Sequence, residues 1–166
     1  IIYRIKPCVP SNILLQLYNT LAFPHMNYNI TVWGSACETA LMPLIVQQKR
    51  LIRLLCGSQH YLSHTSPMFK ELKLLKLNDI YKFNISIYMY RILKGEAPGV
   101  IVTEIDKNQN QHSHATRQDL TYIKTPQYNL EISRKALSYK GPHIWNGLHL
   151  SVRVCQSLHS FKKKLK

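Results

Sequence analysis

Two long segments of the chain repeat their apolar residues with the period of an α-helix. Between residues 38 and 56, six side chains share one arc of a helical wheel: Leu41, Leu44, Ile45, Leu51, Ile52 and Leu55. Gln48 falls within the same arc. The segment from Ile80 to Lys94 is apolar on two sides, which is typical of a helix at the centre of a bundle. These segments predict a mainly α fold.

Cap and turn residues mark the ends of the other helices in the first part of the chain. Ser11 predicts the N-cap of a first helix, which Pro24 would end. A shorter helix begins at Ser66-Pro67 and runs through Lys73. Glycines at positions 57 and 95 predict the stops of the two long helices.

The composition changes after Pro98. Residues 106–118 are rich in Asn, Gln and His and predict a loop, and Gly141-Pro142 indicates a turn or the start of a helix. Ser157 begins a last helix that places Leu158, Phe161 and Leu165 inward and its lysines outward. Two short segments, 28–33 and 120–124, are compatible with a strand, and the pattern leaves both open.

These signals divide the chain into three parts. Residues 1–10 are the end of an upstream connector, residues 11–95 form a helical subdomain, and residues 96–166 form a loop-rich C-terminal segment with a terminal helix. The first residue is not Met, so we expect a piece of a longer protein. With no apolar run of the ~18–20 residues of a membrane helix, we expect no spanning segment.

The charge of the chain is strongly one-sided. Lys and Arg number 22 against 8 Asp and Glu, which gives a net charge of +14 and a pI near 9.8. Such a balance is typical of proteins that bind an acidic polymer, and nucleic acid is the partner we expect. An anionic membrane surface would favour a longer amphipathic helix with Trp and Leu opposite the lysines.

The basic residues fall into three clusters, which we predict to contact nucleic acid. Lys49, Arg50 and Arg53 share one flank of the first long helix. Lys70, Lys73 and Lys76 recur every third residue, so we expect them to line one side of a short helix. The third cluster, near the C-terminus, consists of Lys162, Lys163 and Lys164. The alternative is that these lysines are only the solvated faces of amphipathic helices.

Carboxylates are too few for two-metal phosphoryl transfer, which needs two or three of them converging on divalent ions. The only aspartates are Asp79, Asp106 and Asp119, and none are adjacent. We therefore predict no catalytic residue and no bound cofactor in this chain.

Cysteine and histidine spacing does not favour a metal site or a nucleophile. His112 and His114 could join Cys155 and His159 as four ligands of the zinc type, but nothing in the spacing forces the two pairs together. No sequence feature supplies the orienting group that a Cys–His nucleophile needs. The scattered cysteines indicate reduced thiols in a nuclear or cytoplasmic protein.

Several short strings occur in a characteristic order along nearly the whole chain. They are Leu17-Tyr18-Asn19-Thr20-Leu21-Ala22-Phe23-Pro24-His25-Met26-Asn27-Tyr28, Val32-Trp33-Gly34, Gln48-Lys49-Arg50-Leu51-Ile52-Arg53, Phe69-Lys70-Glu71-Leu72, Leu75-Lys76-Leu77, Thr116-Arg117-Gln118, Gly141-Pro142-His143-Ile144-Trp145-Asn146-Gly147-Leu148 and Ser160-Phe161-Lys162-Lys163-Lys164-Leu165. This order resembles the region after the catalytic palm in reverse transcriptases of non-LTR (LINE-type) retrotransposons of the jockey- and CR1-like group.

The resemblance implies that residues 11–95 are a thumb-like helical subdomain and that the rest is the C-terminal tail of the polyprotein. The thumb of such enzymes holds the template–primer, an RNA–DNA or DNA duplex, beside the palm and fingers. The palm's aspartates and its Mg²⁺ belong upstream and are absent from this sequence. What carries over is the helix with Gln48-Lys49-Arg50 as a duplex-facing element.

Two other interpretations of the same sequence stay open. One is a helical protein-interaction module derived from such an element, and the other is a relic without function. Separation from a palm would expose apolar helix faces, so we also expect self-association of the isolated fragment.

Overall fold

The regular elements in the described part of the chain are all helical, which confirms the mainly α class. The computed structural model describes residues 2–57, 63–99, 105 and 122–165. The α-helices there are α1 (Ile2–Ile5), α2 (Ser11–Leu17), α3 (Phe23–Asn27), α4 (Ile30–Trp33), α5 (Glu38–Leu55), α6 (Thr65–Glu71), α7 (Leu77–Leu93), α8 (Leu137–Asn146), α9 (Leu150–Arg153) and α10 (Leu158–Leu165). Shorter 3₁₀ turns occupy Lys6–Cys8 and Ser133–Lys135.

The chain divides into two compact units, Ile1–Tyr81 and Lys82–Lys166. The division falls inside α7, whereas the sequence predicts a boundary after that helix, at residues 95–96.

The first unit begins with a helical run that does not stop at Pro24. α2 passes into a π-helical turn, Tyr18–Ala22, in which the N–H of Phe23 donates to the carbonyl of Tyr18, and α3 follows directly. Pro24 sits in the first turn of α3, where an N–H without an intrahelical partner is no loss. The predicted stop at Pro24 is therefore wrong. The predicted N-cap is also displaced, because Ser11 is already helical and Pro10 is the cap residue.

Segment 28–33, which the sequence left open, is a turn followed by the short helix α4. Asn29 adopts the left-handed backbone conformation, with φ of 50°, and the indole N–H of Trp33 donates to the carbonyl of Tyr28 at 2.7 Å. Gly34 follows the last residue of α4 and lies against the ring of Tyr81. A Cβ at this position would collide with that ring. The close approach explains why glycine stands there.

The core of the first unit consists of two apolar clusters. One joins the N-terminal helices to α5 and α6 through Ile2, Leu14, Tyr18, Ile52, Leu55 and Phe69. The other joins α3 and α4 to the start of α7 through Met26, Ile30, Leu77 and Ile80. Within the predicted arc of α5, Ile52 and Leu55 are buried, while Leu44 is 40% exposed.

Helix α6 is shorter than the sequence predicted. It ends at Glu71, and Lys73 takes a left-handed φ of 54° while Leu74 N–H donates back to the Phe69 carbonyl at 2.9 Å. This is a helix-ending turn in which glycine is the usual residue. The expectation that Lys70, Lys73 and Lys76 line one side of one helix is thus wrong, because only Lys70 lies within α6.

In the second unit, α7 is buried on more than one side, as its sequence predicted. Ile85, Met89 and Ile92 share one face and are at most 2% exposed, and Tyr90, which is rotated by about 140° from Ile85, is 3% exposed. Gly141 and Pro142 lie inside α8 and are buried, so the turn considered at this position is not formed. A Cβ on Gly141 would stand 2.5 Å from the Met89 sulfur, so glycine allows the two helices to approach closely.

An aromatic cluster anchors the C-terminal helix within the second unit. The rings of Tyr90 and Trp145 lie 4.7 Å and 5.8 Å from that of Phe161, and the Tyr90 hydroxyl donates to the Gln156 carbonyl at 2.7 Å. Ser157 Oγ accepts from the N–H of Ser160 at 3.2 Å, which confirms it as the cap of α10. Phe161 is fully buried, as expected.

The side-chain amide of Asn146 holds the backbone at Ile123, in the segment before α8. Asn146 accepts the Ile123 N–H at 3.0 Å and donates to the Ile123 carbonyl at 2.7 Å, so it pairs with both backbone groups of one residue. Residues 122–124 form no strand, and residues 120–121 lie outside the described part of the chain.

None of the helices in the described ranges has the length and apolar character that a bilayer crossing requires.

Candidate nucleic-acid interface

The first basic cluster lies on α5 beside a buried polar residue. Lys49 and Arg50 are exposed, whereas the adjacent Gln48 is 1% exposed. Successive residues of an α-helix are rotated by about 100°, so burial of Gln48 turns the two cations outward onto one flank. The rotation of α5 about its axis therefore decides where these charges point.

Gln48 fixes that rotation through three hydrogen bonds to distant segments. Its amide nitrogen donates to the Tyr18 hydroxyl at 3.2 Å and to the Leu75 carbonyl at 3.0 Å. Its amide oxygen accepts from the N–H of Leu77, the first residue of α7, at 3.0 Å. Both ends of the amide are thus bonded, and the side chain joins α5 to the π turn and to the start of α7.

The environment of this amide also affects Tyr18. Burial raises the pKa of the Tyr18 hydroxyl above its usual value, and the hydrogen bond from Gln48 opposes the rise. The neutral phenol is therefore the form that the folded core favours.

Arg53 has a partly structural role, although the sequence assigned it wholly to the basic flank. It is half-buried, and its Nε donates to the Ser63 carbonyl at 3.2 Å. This bond ties α5 to the residues that lead into α6. Lys49 and Arg50 are therefore the exposed pair of the cluster.

Only Lys70 of the second cluster lies within α6, and Lys73 and Lys76 lie in the segment that follows this helix. Lys70, Lys73 and Lys76 are all exposed. The carbonyl of Lys76 accepts from the N–H groups of Asp79 and Ile80, so this residue caps α7, and its ammonium donates to the Ser66 hydroxyl at 3.1 Å. The chain after α6 has thus returned to the beginning of that helix.

The third cluster belongs to the second unit. Lys162, Lys163 and Lys164 are exposed on α10, next to the buried Phe161. Lys164 donates to the Ser151 carbonyl at 3.0 Å, which fixes its position against α9. No acidic residue occurs in α10, so its charge is uncompensated within the helix.

Both units carry an excess of positive charge. Eight basic against three acidic residues give +5 for residues 1–81, and fourteen against five give +9 for residues 82–166. Glu38, in the first turn, is the sole acid in the sequence of α5. The excess is thus a property of each unit and does not depend on the C-terminal lysines alone.

Two of the four candidate zinc ligands, Cys155 and His159, lie in the part of the chain that the structure describes. Cys155 is buried and its thiol contacts the Ser151 carbonyl at 3.5 Å, while His159 is exposed. His112 and His114 lie outside the described residues. Over residues 2–57, 63–99, 105 and 122–165, no group of three or more His, Cys, Asp or Glu side chains is placed to hold a metal ion.

Comparison with known proteins identified no relative: no family model, no curated protein and no solved structure matches the chain.

Proposed function

We propose that the chain is a non-catalytic part of an RNA-directed DNA polymerase of the non-LTR retrotransposon type, and that it grips the template–primer duplex through backbone phosphates. The proposal rests on the order of sequence strings together with the position of the basic residues. The observation that supports it best is the exposed Lys49–Arg50 pair beside the buried, triply bonded Gln48.

Such an arrangement suits recognition of a phosphate backbone. Lys and Arg on a helix flank neutralise phosphates but read no base edges, so binding would tolerate any sequence. A rigidly oriented helix lets the cations meet phosphates without a loss of backbone freedom on binding. Synthesis itself, with its carboxylates and Mg²⁺, would belong to a palm elsewhere in the parent protein, with which this chain would associate.

The test is the salt dependence of binding to a short DNA duplex. Each neutralised phosphate contributes about −0.9 to the slope of log K against log salt, so Lys49→Ala/Arg50→Ala should flatten the slope by about 1.8. Arg53 stays unchanged in this variant, because its bond to the Ser63 carbonyl would confuse a binding effect with a folding effect.

A control variant with the same loss of charge completes the experiment. Arg4→Ala/Lys82→Ala removes two exposed cations outside the three clusters and should leave the slope nearly unchanged. If both double variants flatten the slope equally, the flank of α5 is only part of a general positive charge and the proposal fails. Primer extension by the chain alone, with Mg²⁺ present, would contradict the non-catalytic assignment.

A further inference from the structure

A serine stands among the basic residues around α6 and shares a hydrogen bond with one of them. Ser66 is exposed in the first turn of α6, and its Oγ accepts from the Lys76 ammonium at 3.1 Å. The left-handed turn at Lys73 brings this about, since it returns the chain to the start of the helix.

The direction of this hydrogen bond leaves donors available. Because the ammonium is the donor, the hydroxyl proton of Ser66 is free to donate to a third group. The Lys76 ammonium has two further N–H groups. Two donors whose heavy atoms are 3.1 Å apart can bond one anion together, and the positive charge on the nitrogen makes the hydroxyl a stronger donor.

The surroundings of the pair favour an anion. Lys70 lies four residues after Ser66 in α6 and therefore on the same face of the helix. Glu71 lies five residues after Ser66, which rotates it by about 140° away from that face. The pair thus has a cation beside it and the acid of α6 turned to another side, while Asp79 lies three residues after Lys76 in the first turn of α7.

We propose that Ser66 and Lys76, with Lys70 beside them, form a binding site for a single backbone phosphate of the nucleic acid. The proposal rests on the proposed function. It adds to the basic clusters a residue without charge, Ser66. Ser66 would donate a hydrogen bond to a phosphate oxygen, and Lys76 would supply the charge.

The two partners make different predictions for salt dependence. Lys76→Ala should weaken duplex binding and flatten the slope of log K against log salt by about 0.9, because one counterion fewer is released. Ser66→Ala should weaken binding about three- to tenfold at low salt and leave the slope unchanged, because the hydroxyl carries no charge. Ser66→Thr keeps the hydroxyl and should restore most of the affinity.

The control is another exposed serine of the same unit. Ser11 is exposed in the first turn of α2 and belongs to none of the three basic clusters, so Ser11→Ala should bind DNA as the unaltered chain does. Thermal melting of all variants shows whether they remain folded.

The possible failures are distinct. If the unaltered chain binds with a steep slope but Ser66→Ala matches Ser11→Ala, the phosphate site is refuted and the proposed function stands. A change of slope in Ser66→Ala would also refute it, because the serine would then act only by holding a cation in place. If the unaltered chain shows no salt-dependent binding to the duplex, both proposals fail.

Discussion

Replacement of Gln48 by leucine tests the central feature of the first unit. The change keeps the size of the side chain but removes its hydrogen bonds to Tyr18, Leu75 and Leu77. The Leu75 carbonyl and the Leu77 N–H lose this partner, and a buried polar group without a partner costs about 1–3 kcal/mol. Two such groups together cost about 2–6 kcal/mol, and the more apolar leucine side chain returns about 1 kcal/mol. We therefore expect Gln48→Leu to lower the free energy of unfolding by about 1–5 kcal/mol.

Urea unfolding of the full chain, followed by circular dichroism, measures this effect. With an m-value of about 2 kcal/mol/M, a loss of this size should move the midpoint of the transition that reports the first unit by about 0.5–2.5 M. The matched control is Gln47→Leu, because this neighbour has the same side chain but is exposed, and we expect a change within about 0.5 kcal/mol.

A double-mutant cycle with Tyr18→Phe isolates one of the three bonds. Tyr18→Phe removes a single acceptor and should cost about 0.5–1.5 kcal/mol. In the Gln48→Leu background the cost should be smaller by at least about 0.5 kcal/mol, since the bond is already absent. Equal stability of the two leucine variants, or strict additivity in the cycle, would refute the idea that Gln48 joins these segments.

Four further outcomes are expected. Gly141→Ala should destabilise the chain by about 1–3 kcal/mol in urea unfolding, because its Cβ would meet the buried Met89 sulfur, whereas Gly147→Ala, with its nearest atom at 3.5 Å, should change little. Lys73→Gly should stabilise it by about 0.5–1 kcal/mol, because it relieves a left-handed backbone at an exposed residue; a loss of stability would contradict this. The raised pKa of Tyr18 means that the unfolded state deprotonates first, so stability should fall as the pH rises above about 10, and less steeply in Tyr18→Phe. Light scattering should show self-association that increases with salt, as screening weakens the repulsion from the +14 charge; a monomer at both low and high salt would oppose this.

The helices with strong local signals were predictable. The two-sided apolar pattern of α7 and the cap at Ser157 each depend on residues within a few turns of one another, which is the range over which a sequence pattern acts. Glycines at 57 and 95 have the positive φ that their position after a helix demanded. In these places local preference and tertiary packing agree.

The errors at proline arose because tertiary packing overrides local preference. Pro24 follows a π turn and so lies where its missing N–H costs nothing, and the pattern of apolar residues does not predict that turn. Pro142 lies inside α8, where a buried Gly141 beside Met89 and the buried Trp145 hold the helix together. A proline-centred rule places a boundary at both sites, although packing with distant residues decides the outcome.

The charged residues of the candidate interface were predictable, but the hydrogen bonds that hold them in position were not. A polar residue in the apolar arc of α5 was a visible signal at Gln48, yet its partners lie 27 to 30 residues away in sequence. No local pattern predicted the hydrogen bond from Lys76 to Ser66. That bond depends on the left-handed backbone conformation of Lys73, at a position where glycine is usual. The three-residue spacing of Lys70, Lys73 and Lys76 predicts a continuous helix, but α6 ends at Glu71.

The strings that carry the resemblance to reverse transcriptases include residues that the fold requires for close packing or for specific hydrogen bonds. Gly34 touches Tyr81, Gln48 is fully bonded, and Asn146 pairs with the backbone of Ile123. Each of these residues performs a task that few other side chains can perform, and none of the tasks is chemical catalysis. Such strings therefore bear on which fold the chain adopts, and the proposed grip on nucleic acid has to be judged on the exposed cations. This is why the decisive experiments compare charges at matched exposure, Lys49 and Arg50 against Arg4 and Lys82, rather than testing the buried residues of the strings.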